Sequence, residues 1–370
     1  MNSYIYQLKD WPRFTWDDAR LLFLLGNVRN NQGKLTGRME ALGFQLREEA
    51  VLETLTSDVL KSTEIEGEIL NTDQVRSSVA RHLGIAIPGP IQSDRNVDGV
   101  VEMMLDATQQ HNLPLSAERL FGWHSALFPG GRSGMYKITV GEWRKDETGP
   151  IQVVSGALGK ERVHYLAPPA EIINSEMDVF IHWFNSENEL DSVLKAAIAH
   201  LWFITMHPFD DGNGRIARAI ADMQLARADG SSQRFYSMSS QIRKERNQYY
   251  DILEKTQQGN LDITEWMLWF LNCLSGALEA TNNTLSRVLF KAKFWETHNA
   301  TPLNDRQRLI INKLLDGFEG KLTSSKWAKI NKCSADTALR DIQDLISKNV
   351  LRKEQGGGRS TNYELVGVGE

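Results

Sequence analysis

The sequence predicts a mainly α-helical protein with one β-hairpin inside a helical body and a small helix-and-hairpin module at the C-terminal end. Residues 191–206 are almost continuously apolar after Lys195, which is typical of a helix buried on most sides. Residues 215–228 are rich in Ala, Leu, Met and Arg, which are strong helix formers. Residues 149–156 and 161–166 are β-prone runs separated by glycines, and this pattern predicts the hairpin.

The overall composition is that of an ordinary globular protein. The chain has 370 residues, of which 41% are hydrophobic and 24% charged, and its net charge is −5. Only Cys273 and Cys333 are present, so neither a disulfide framework nor a zinc cluster is implied. No apolar run is long enough to span a bilayer, and the first residues do not form a signal peptide. We therefore expect a cytoplasmic protein without a membrane partner.

The length allows two or three domains, and the sequence predicts three. Residues 1–95 form a helical N-terminal domain, which ends near an Ile-Pro-Gly-Pro break at residues 87–90. Residues 96–290 form the helical body with its hairpin. Residues 301–366 begin with a Thr-Pro pair and form the C-terminal module.

The C-terminal module has the element order of a winged helix. An amphipathic helix at 303–315 precedes a helix that Ser334 caps, and β-prone runs at 350–353 and 362–365 flank a glycine-rich turn. Residues 301–366 contain 12 Lys and Arg against 8 Asp and Glu, a net charge of +4. Local basicity is consistent with DNA binding, but winged helices also bind proteins. We therefore expect either DNA or a protein, including a second copy of the chain, as the partner of this module.

The most informative stretch of the chain runs from His207 to Arg218. Two glycines flank Asn213 in a turn that can point backbone N–H groups at an anion. The turn leads into the N-terminus of the predicted helix, which also favours phosphate. Arg215 and Arg218 lie three apart in the first turn, where a bound polyanion would offset their unfavourable interaction with the helix dipole.

The same stretch contains a base and a ligand for a hard metal. His207 can accept a proton near neutral pH, and Asp211 suits Mg²⁺, which takes one or two carboxylates together with substrate phosphates. Any one of these residues would fit an ordinary surface loop between two helices. Together, at this spacing, they predict a nucleotide polyphosphate site beside a base that activates an oxygen nucleophile.

This stretch matches the pattern H-x-F-x-[DE]-G-N-G-R-x-x-R at every specified position, and so the chain resembles the Fic family. The resemblance implies a mainly α Fic/Fido core that transfers AMP from ATP to a Ser, Thr or Tyr hydroxyl of a protein. It implies that Phe209 anchors the loop by packing. The other implied roles are His207 as general base, Asp211 as the Mg²⁺ ligand, Gly212, Asn213 and Gly214 as the phosphate cradle, and Arg215 and Arg218 as phosphate contacts.

The resemblance also gives roles to segments on either side. The predicted hairpin would be a flap that holds the acceptor side chain, and its nucleotide side would consist of Val153, Val154, Ser155 and Gly156. After the helix predicted at 215–228, Tyr250 would pack near the adenine and Gln257 would hydrogen-bond to it. From the residues alone, a solvent-facing hairpin and core tyrosines are the better interpretations. His200 lies on a face similar to that of His207, and we expect a core histidine there rather than a metal ligand.

A second motif lies far upstream. Ser62 and Glu66 are four residues apart and share a helix face, and Gly67 can end that helix. The three residues fit the pattern [S/T]-x-x-x-E-[G/N] of the Fic family. In that family the glutamate pairs with the second arginine of the G-N-G-R-x-x-R run, here Arg218. The resemblance thus implies a self-inhibited enzyme. Without it, Glu66 would belong to a solvated acidic helix face.

Several alternatives stay open at this stage. The same site could remove AMP from a modified protein, with Glu66 orienting a water molecule. The enzyme could modify itself, and we expect a homo-oligomer that could gate the inhibitory contact. A different class of function is a DNA-binding regulator whose nucleotide pocket acts as a sensor.

Overall fold

The computed structural model describes residues 4–40, 44–146, 149–155, 162–187, 189–318, 320–354 and 361–366. The chain splits into two compact units, Met1–Asn282 and Asn283–Glu370. The mainly helical fold class is confirmed. Within the described ranges, none of the helices combines the length and the apolar character that crossing a membrane requires.

The elements follow one another as helices interrupted by short strands. A 3-10 turn, Ile5–Gln7, precedes the first helix. The helices are α1 (Asp18–Glu40), α2 (Phe44–Ile65), α3 (Thr72–Leu83), α4 (Arg95–Gln109), α5 (Ala117–Leu127), α6 (Ala170–Asn185), α7 (Ser192–Met206), α8 (Asn213–Asp229), α9 (Met238–Lys244), α10 (Arg246–Gln257), α11 (Thr264–Thr297), α12 (Asp305–Leu315), α13 (Ser324–Ile330) and α14 (Ala335–Ser347). The strands form three antiparallel pairs: β1 (Arg132–Ser133) with β2 (Tyr136–Lys137), β3 (Gln152–Ser155) with β4 (Arg162–Leu166), and β5 (Leu351–Lys353) with β6 (Tyr363–Leu365).

The helix pair α7 and α8 forms the centre of the first unit. The two helices pack against each other, and almost every side chain of both is buried. Helix α7 was predicted over 191–206 and is confirmed, with Asp191 accepting a hydrogen bond from Val193 N at 2.8 Å as its N-cap. Helix α8 begins two residues earlier than predicted, because Gly212, with φ 79°, serves as its N-cap. The turn 207–212 thus connects two rigid elements.

Helix α2 brings the upstream motif to this helix pair. It packs against α8 and α9, and its last turn is anchored by Ser62, which is 0% exposed. Deeper in the contact, the carboxylate of Asp58 accepts a hydrogen bond from Ser239 N at 3.2 Å. The helix ends at Ile65, just before Gly67, which has φ 90°. Glycine is favoured there because its φ lies in the left-handed region.

The predicted hairpin is confirmed by the antiparallel pairing of β3 with β4. Gln152 lies opposite Leu166, and the register shifts between Val153 and Val154. Tyr165 ties β4 to α7, because its buried hydroxyl donates to the carbonyl oxygen of Thr205 at 2.6 Å. Residues 156–161, which include the predicted flap residue Gly156, lie outside the described residues.

The second unit has the predicted order of helices followed by a hairpin. Ser334 caps α14 as expected, accepting a hydrogen bond from Thr337 N at 3.2 Å. Trp327 is 0% exposed and packs in a core that all the elements of this unit share. The strand pair β5–β6 is extended by a bridge between Leu322 and Tyr363.

His200 lies in the core of the first unit, as predicted. Its Nε2 is 2.9 Å from the hydroxyl of Tyr249, and its ring packs against Trp266 with centroids 5.4 Å apart. Burial, and next the charge of Arg218, lowers the pKa of His200 to about 3. The ring is therefore neutral in the folded protein at pH 6, whereas an exposed imidazole in the unfolded chain has a pKa of about 6.5.

This difference predicts an acid-sensitive stability. The stabilisation from the neutral His200 ring is complete above the unfolded pKa and declines as the pH falls towards the folded one. Between pH 6.5 and 5, one imidazole should lower the free energy of unfolding by at most about 1.4 kcal/mol per pH unit. Urea unfolding of His200→Gln should show a pH slope smaller by up to this amount. Identical slopes in the two proteins would contradict a lowered pKa of His200 in the folded protein.

Candidate active site

The turn between α7 and α8 holds His207 in an uncommon backbone conformation. His207 has φ 50° and ψ 56°, in the left-handed region, and its N–H donates to Phe203 O at 3.1 Å. Its ring nitrogen Nδ1 lies 3.2 Å from the carbonyl oxygen of Ile204. A residue other than glycine in this region costs of order 1–3 kcal/mol and persists only where its surroundings fix it.

The side chain of Asn213 closes the turn. Its Oδ1 accepts from Phe209 N at 3.0 Å, and its Nδ2 donates to Phe209 O at 2.7 Å. Phe209 is fully buried, and its ring stacks on His124 with centroids 4.2 Å apart. The amide of Asn213 therefore holds the loop in shape, and its contribution to an anion site would come from the backbone.

Two carboxylates lie on the turn. Asp211 accepts a hydrogen bond from the hydroxyl of Ser133, and Asp210 Oδ2 accepts one from Thr139 N at 2.8 Å. No group of three or more His, Cys, Asp and Glu side chains in the described part of the chain could hold a metal ion. A single carboxylate suits Mg²⁺, because this ion usually completes its shell with waters and substrate phosphates. Asp211 therefore fits the predicted role of a magnesium ligand.

Glu66 places its carboxylate on the first turn of α8. Its Oε1 lies 2.8 Å from Arg218 Nη2. A Cβ atom added to Gly214 would lie 2.2 Å from the same oxygen, so glycine leaves the room that the carboxylate fills. The N-terminus of a helix attracts anions through its free N–H groups and its dipole. The carboxylate thus occupies the place where this helix would attract a phosphate.

Arg218 is 1% exposed and is held by the upstream motif from two sides. Its Nε donates to Ser62 Oγ at 3.0 Å and its Nη2 donates to Ser62 O at 2.8 Å. Nη1 has no hydrogen-bond partner among the residues described. A buried guanidinium needs an anion, because an unpaired charge out of water is costly. Glu66 supplies that anion in this structure.

A second carboxylate follows on the same loop. Glu68 Oε2 lies 3.1 Å from Arg215 Nη1, and the guanidinium of Arg215 stacks over Phe128 at 5.1 Å from the ring centroid. The side chain of Glu68 is 54% exposed, so this pair is weaker than the buried one. Both signature arginines are therefore paired with acids from residues 66–68.

One cavity of about 490 Å³ lies at this turn, a size typical of ligand sites. Residues of the turn 207–214, the β3–β4 hairpin, Glu66 and α10 line it, whereas Arg215 and Arg218 are not among the lining residues. The predicted site residues that line it are Glu66, Val153, Val154, His207, Asp211, Gly212, Asn213, Gly214, Tyr250 and Gln257. Helix α10 lines one wall of the cavity. Gln257 Nε2 donates to Thr205 Oγ1 at 3.3 Å, and the hydroxyl of Tyr250 lies 3.5 Å from Glu66 Oε2. Arg246 lies over the ring of Tyr250 at 5.1 Å from the centroid. The side chain of Ser155 lies outside what the structure describes.

The imidazole of His207 is held in its neutral form. Burial lowers the pKa of this imidazole to about 4, the carbonyl of Ile204 partly opposes that shift, and the charge of Arg144 adds to it. The ring is therefore neutral at pH 7 and can accept a proton.

Arg144 and Glu254 support the site but were not predicted from the sequence. Arg144 Nε donates to the carbonyl oxygen of His207 at 2.8 Å. Glu254 Oε1 accepts from Arg162 Nη2 at 2.6 Å, and its other oxygen lies 2.6 Å from His164 Nδ1, so Glu254 fastens β4 to α10. Neither Arg144 nor Glu254 belongs to a motif, and only the fold brings them to the site.

Comparison with known proteins identifies two segments. The model of the Fic/DOC family matches residues 114–225. A family described as a domain of unknown function (DUF4172) matches residues 4–85.

The relatives share part of their length with this chain. The protein adenylyltransferase fic-1 of Caenorhabditis briggsae is 27% identical over 213 residues, which is 57% of this chain and 38% of that protein. The protein adenylyltransferase Fic of Drosophila grimshawi is 35% identical over 105 residues, 28% of this chain and 20% of that protein. This chain thus matches between a fifth and two fifths of the length of these two relatives. A solved Fic family protein from Desulfovibrio desulfuricans G20 shares the fold, with a TM-score of 0.56 at 20% identity over 97% of this chain and 99% of that one.

The contact between Glu66 and Gly214 predicts a coupled effect on stability. Gly214→Ala should displace the carboxylate from Arg218 and destabilise the protein by about 1–3 kcal/mol. In Glu66→Gly the same change should be neutral or stabilising by up to ~1 kcal/mol, because alanine is the better helix former. Urea unfolding of the four proteins measures this coupling. An equal cost of Gly214→Ala in both backgrounds would contradict the geometry.

Proposed function

We propose that this chain, whose residues 114–225 are a Fic/DOC family domain, is a protein adenylyltransferase that its own Glu66 holds inactive. One observation carries the proposal. The carboxylate of Glu66 lies on the first turn of α8 and on Arg218, in the same cavity as the neutral imidazole of His207. The carboxylate of Glu66 therefore pairs with the groups that would bind a phosphate, and these groups lie near the proposed base, His207.

The reaction uses His207 as general base. Its imidazole takes the proton of an acceptor hydroxyl, and the hydroxyl oxygen forms a bond to the α-phosphorus of ATP. The bond from that phosphorus to the bridging oxygen breaks, and pyrophosphate leaves. Positioning and neutralisation of charge supply most of the acceleration in reactions of this kind. In the left-handed conformation of His207, the ring is presented from the end of a rigid helix, which favours a fixed position for the base.

The substrate contacts follow from the walls of the cavity. The backbone of Gly212, Asn213 and Gly214 would bind phosphate oxygens, together with Arg215 and Arg218. Asp211 would hold Mg²⁺, which neutralises charge on the phosphates of the nucleotide when bound. Tyr250 and Gln257 are on the α10 wall of the cavity, and we assign the adenine to that wall.

The flap gives the reaction its protein acceptor. Val153 and Val154 line the cavity, and Val154 is 47% exposed. An exposed strand of this kind can hold an extended segment of a target protein by main-chain hydrogen bonds. We therefore propose a Ser, Thr or Tyr hydroxyl of a protein as the acceptor, including hydroxyls of this protein itself. We also propose that it assembles with further copies, which could control the inhibitory contact.

Hydrolytic removal of AMP is a second reaction for the same site. In that reaction, Glu66 would orient a water molecule whose oxygen bonds to the phosphorus of an AMP-modified side chain, while the bond to the side-chain oxygen breaks and AMP and the free hydroxyl leave. The two reactions differ in the effect of losing Glu66, since transfer should rise and removal should fall. Incubation of an AMP-modified target with wild type and Glu66→Gly separates them.

We propose DNA binding by residues 301–366 as a second function. The order of α12, α13, α14 and the β5–β6 hairpin is that of a winged helix. Lys329, Lys332 and Arg340 are exposed on α13, the following turn and α14. A DNA complex that weakens steeply with salt and survives His207→Ala would support this function. If no variant transferred AMP, DNA binding would be the only proposed function left, and the cavity would act as a nucleotide sensor. If residues 301–366 bound other proteins and no DNA, protein binding would replace DNA binding as the proposed role of this module.

Glu66→Gly should raise the transfer of labelled AMP from ATP to protein by about tenfold or more, the change expected if an interaction of about 1.4 kcal/mol opposed productive binding. His207→Ala in the same background should abolish labelling. Glu64→Gly is the matched control, because Glu64 pairs with Lys61 on the same helix end and does not line the cavity. Mass spectrometry of the products then identifies the acceptor residues. Equal labelling by wild type and Glu66→Gly would contradict inhibition by Glu66.

A further inference from the structure

Arg144 lies outside both sequence motifs and yet is among the most deeply buried charged residues near the site. Its side chain is 0% exposed, and it lies between β2 and the flap in the chain. Burial of a guanidinium is costly unless each of its donors finds an acceptor. The acceptors that Arg144 uses come from three segments, and two of these form the reaction site.

One set of contacts fixes the catalytic turn. Arg144 Nε donates to the carbonyl oxygen of His207 at 2.8 Å, and the backbone N–H of Arg144 donates to Pro208 O at 2.9 Å. These two bonds clamp both carbonyls that follow the last residue of α7. His207 is the residue whose φ of 50° needs such support.

The other two nitrogens of the guanidinium bind residues next to the ends of the flap hairpin. Arg144 Nη2 donates to the carbonyl oxygen of Pro168, two residues after the end of β4. Nη1 pairs with Asp146, whose second oxygen accepts from Ala170 N at 2.8 Å, at the start of α6. One rigid planar group thus joins the turn that carries His207 to the segment that follows β4, the second strand of the flap.

The planar geometry matters for this purpose. A guanidinium holds several donors in a fixed fork, whereas an ammonium is a single point on a flexible stem. A base and the proton that it removes must be held to within about 0.5 Å for efficient transfer. The relative position of the flap and His207 therefore depends on a group that bridges them directly.

We propose that Arg144 is a positioning residue, which sets the distance between His207 and an acceptor hydroxyl held by the flap. The proposal rests on the proposed function for the identity of the reaction. Arg144 does not touch the substrate in this account. Its loss should therefore slow the chemical step and leave the binding of ATP unchanged.

The first arm of the test is kinetic and uses the full chain with Glu66→Gly as the parent. Arg144→Met should lower kcat for AMP transfer by about 100-fold, the loss expected for a displacement of about 1 Å, with KM for ATP within about twofold. Arg144→Lys should recover part of kcat, because it restores the charge and some donors. Arg119→Met is the matched control, since Arg119 also binds one carboxylate and several backbone carbonyls, of Asp106, Gln110 and Leu113, far along the chain from the site. It should leave kcat within about twofold.

The second arm needs no activity. In protein with ¹³C-labelled histidine, the ring signal that His207→Ala removes belongs to His207. Arg144→Met should shift or broaden that signal, and Arg119→Met should leave it unchanged. If the Glu66→Gly parent transfers no AMP, the proposed function fails and this arm alone decides the role of Arg144.

The proposal is overturned if the His207 signal is the same in Arg144→Met and the parent. It is also overturned if Arg144→Met lowers kcat no more than Arg119→Met does, or if its main effect is on KM for ATP. If Arg144→Met does not fold, Arg144→Lys is judged by the same two measurements.

Discussion

The charge of Arg218 organises this site, because a guanidinium buried to 1% exposure must have an anion beside it. Two anions can serve: the carboxylate of Glu66, which lies 2.8 Å away, or a phosphate of a bound nucleotide. Both are drawn to the same helix N-terminus, where the backbone at Gly214 leaves space for one of them. Either anion can neutralise the guanidinium, and in the proposed function only the nucleotide-bound state transfers AMP.

The carboxylate of Glu66 reaches Arg218 at low cost because it is part of the same chain. Helix α2 packs on α8 and α9, so the carboxylate acts at a high effective concentration. Ser62 remains bonded to the guanidinium from inside the core. Glu66 itself keeps 30% of its side chain exposed and lies beyond the end of the helix, next to Gly67. Departure of the carboxylate therefore need not disrupt α2, and in the proposed function a contact that moves residues 66–68 would regulate AMP transfer.

The sequence predicts the parts of this site that depend on local spacing. A helix N-terminus after Gly212 follows from turn geometry, and the structure contains it. The predicted shared helix face of Ser62 and Glu66 is wrong, because α2 ends at Ile65, yet both residues contact Arg218. Contacts that depend on distant segments could not be predicted in this way. Arg144 is 63 residues from His207 in the chain, and Glu68 is 147 residues from Arg215. No periodicity links such pairs, because packing of whole helices decides which side chains meet.

Competition between the carboxylate of Glu66 and the outer phosphates of the nucleotide is the central claim. Calorimetric titration of wild type and Glu66→Gly with ATP and with AMP, each with Mg²⁺, tests it directly. We expect Glu66→Gly to bind ATP about tenfold more tightly than wild type, an effect of about 1.4 kcal/mol, and AMP within about twofold, since AMP lacks the phosphates that would replace the carboxylate. Unchanged affinity for ATP, or an equal gain for both nucleotides, would contradict the claim.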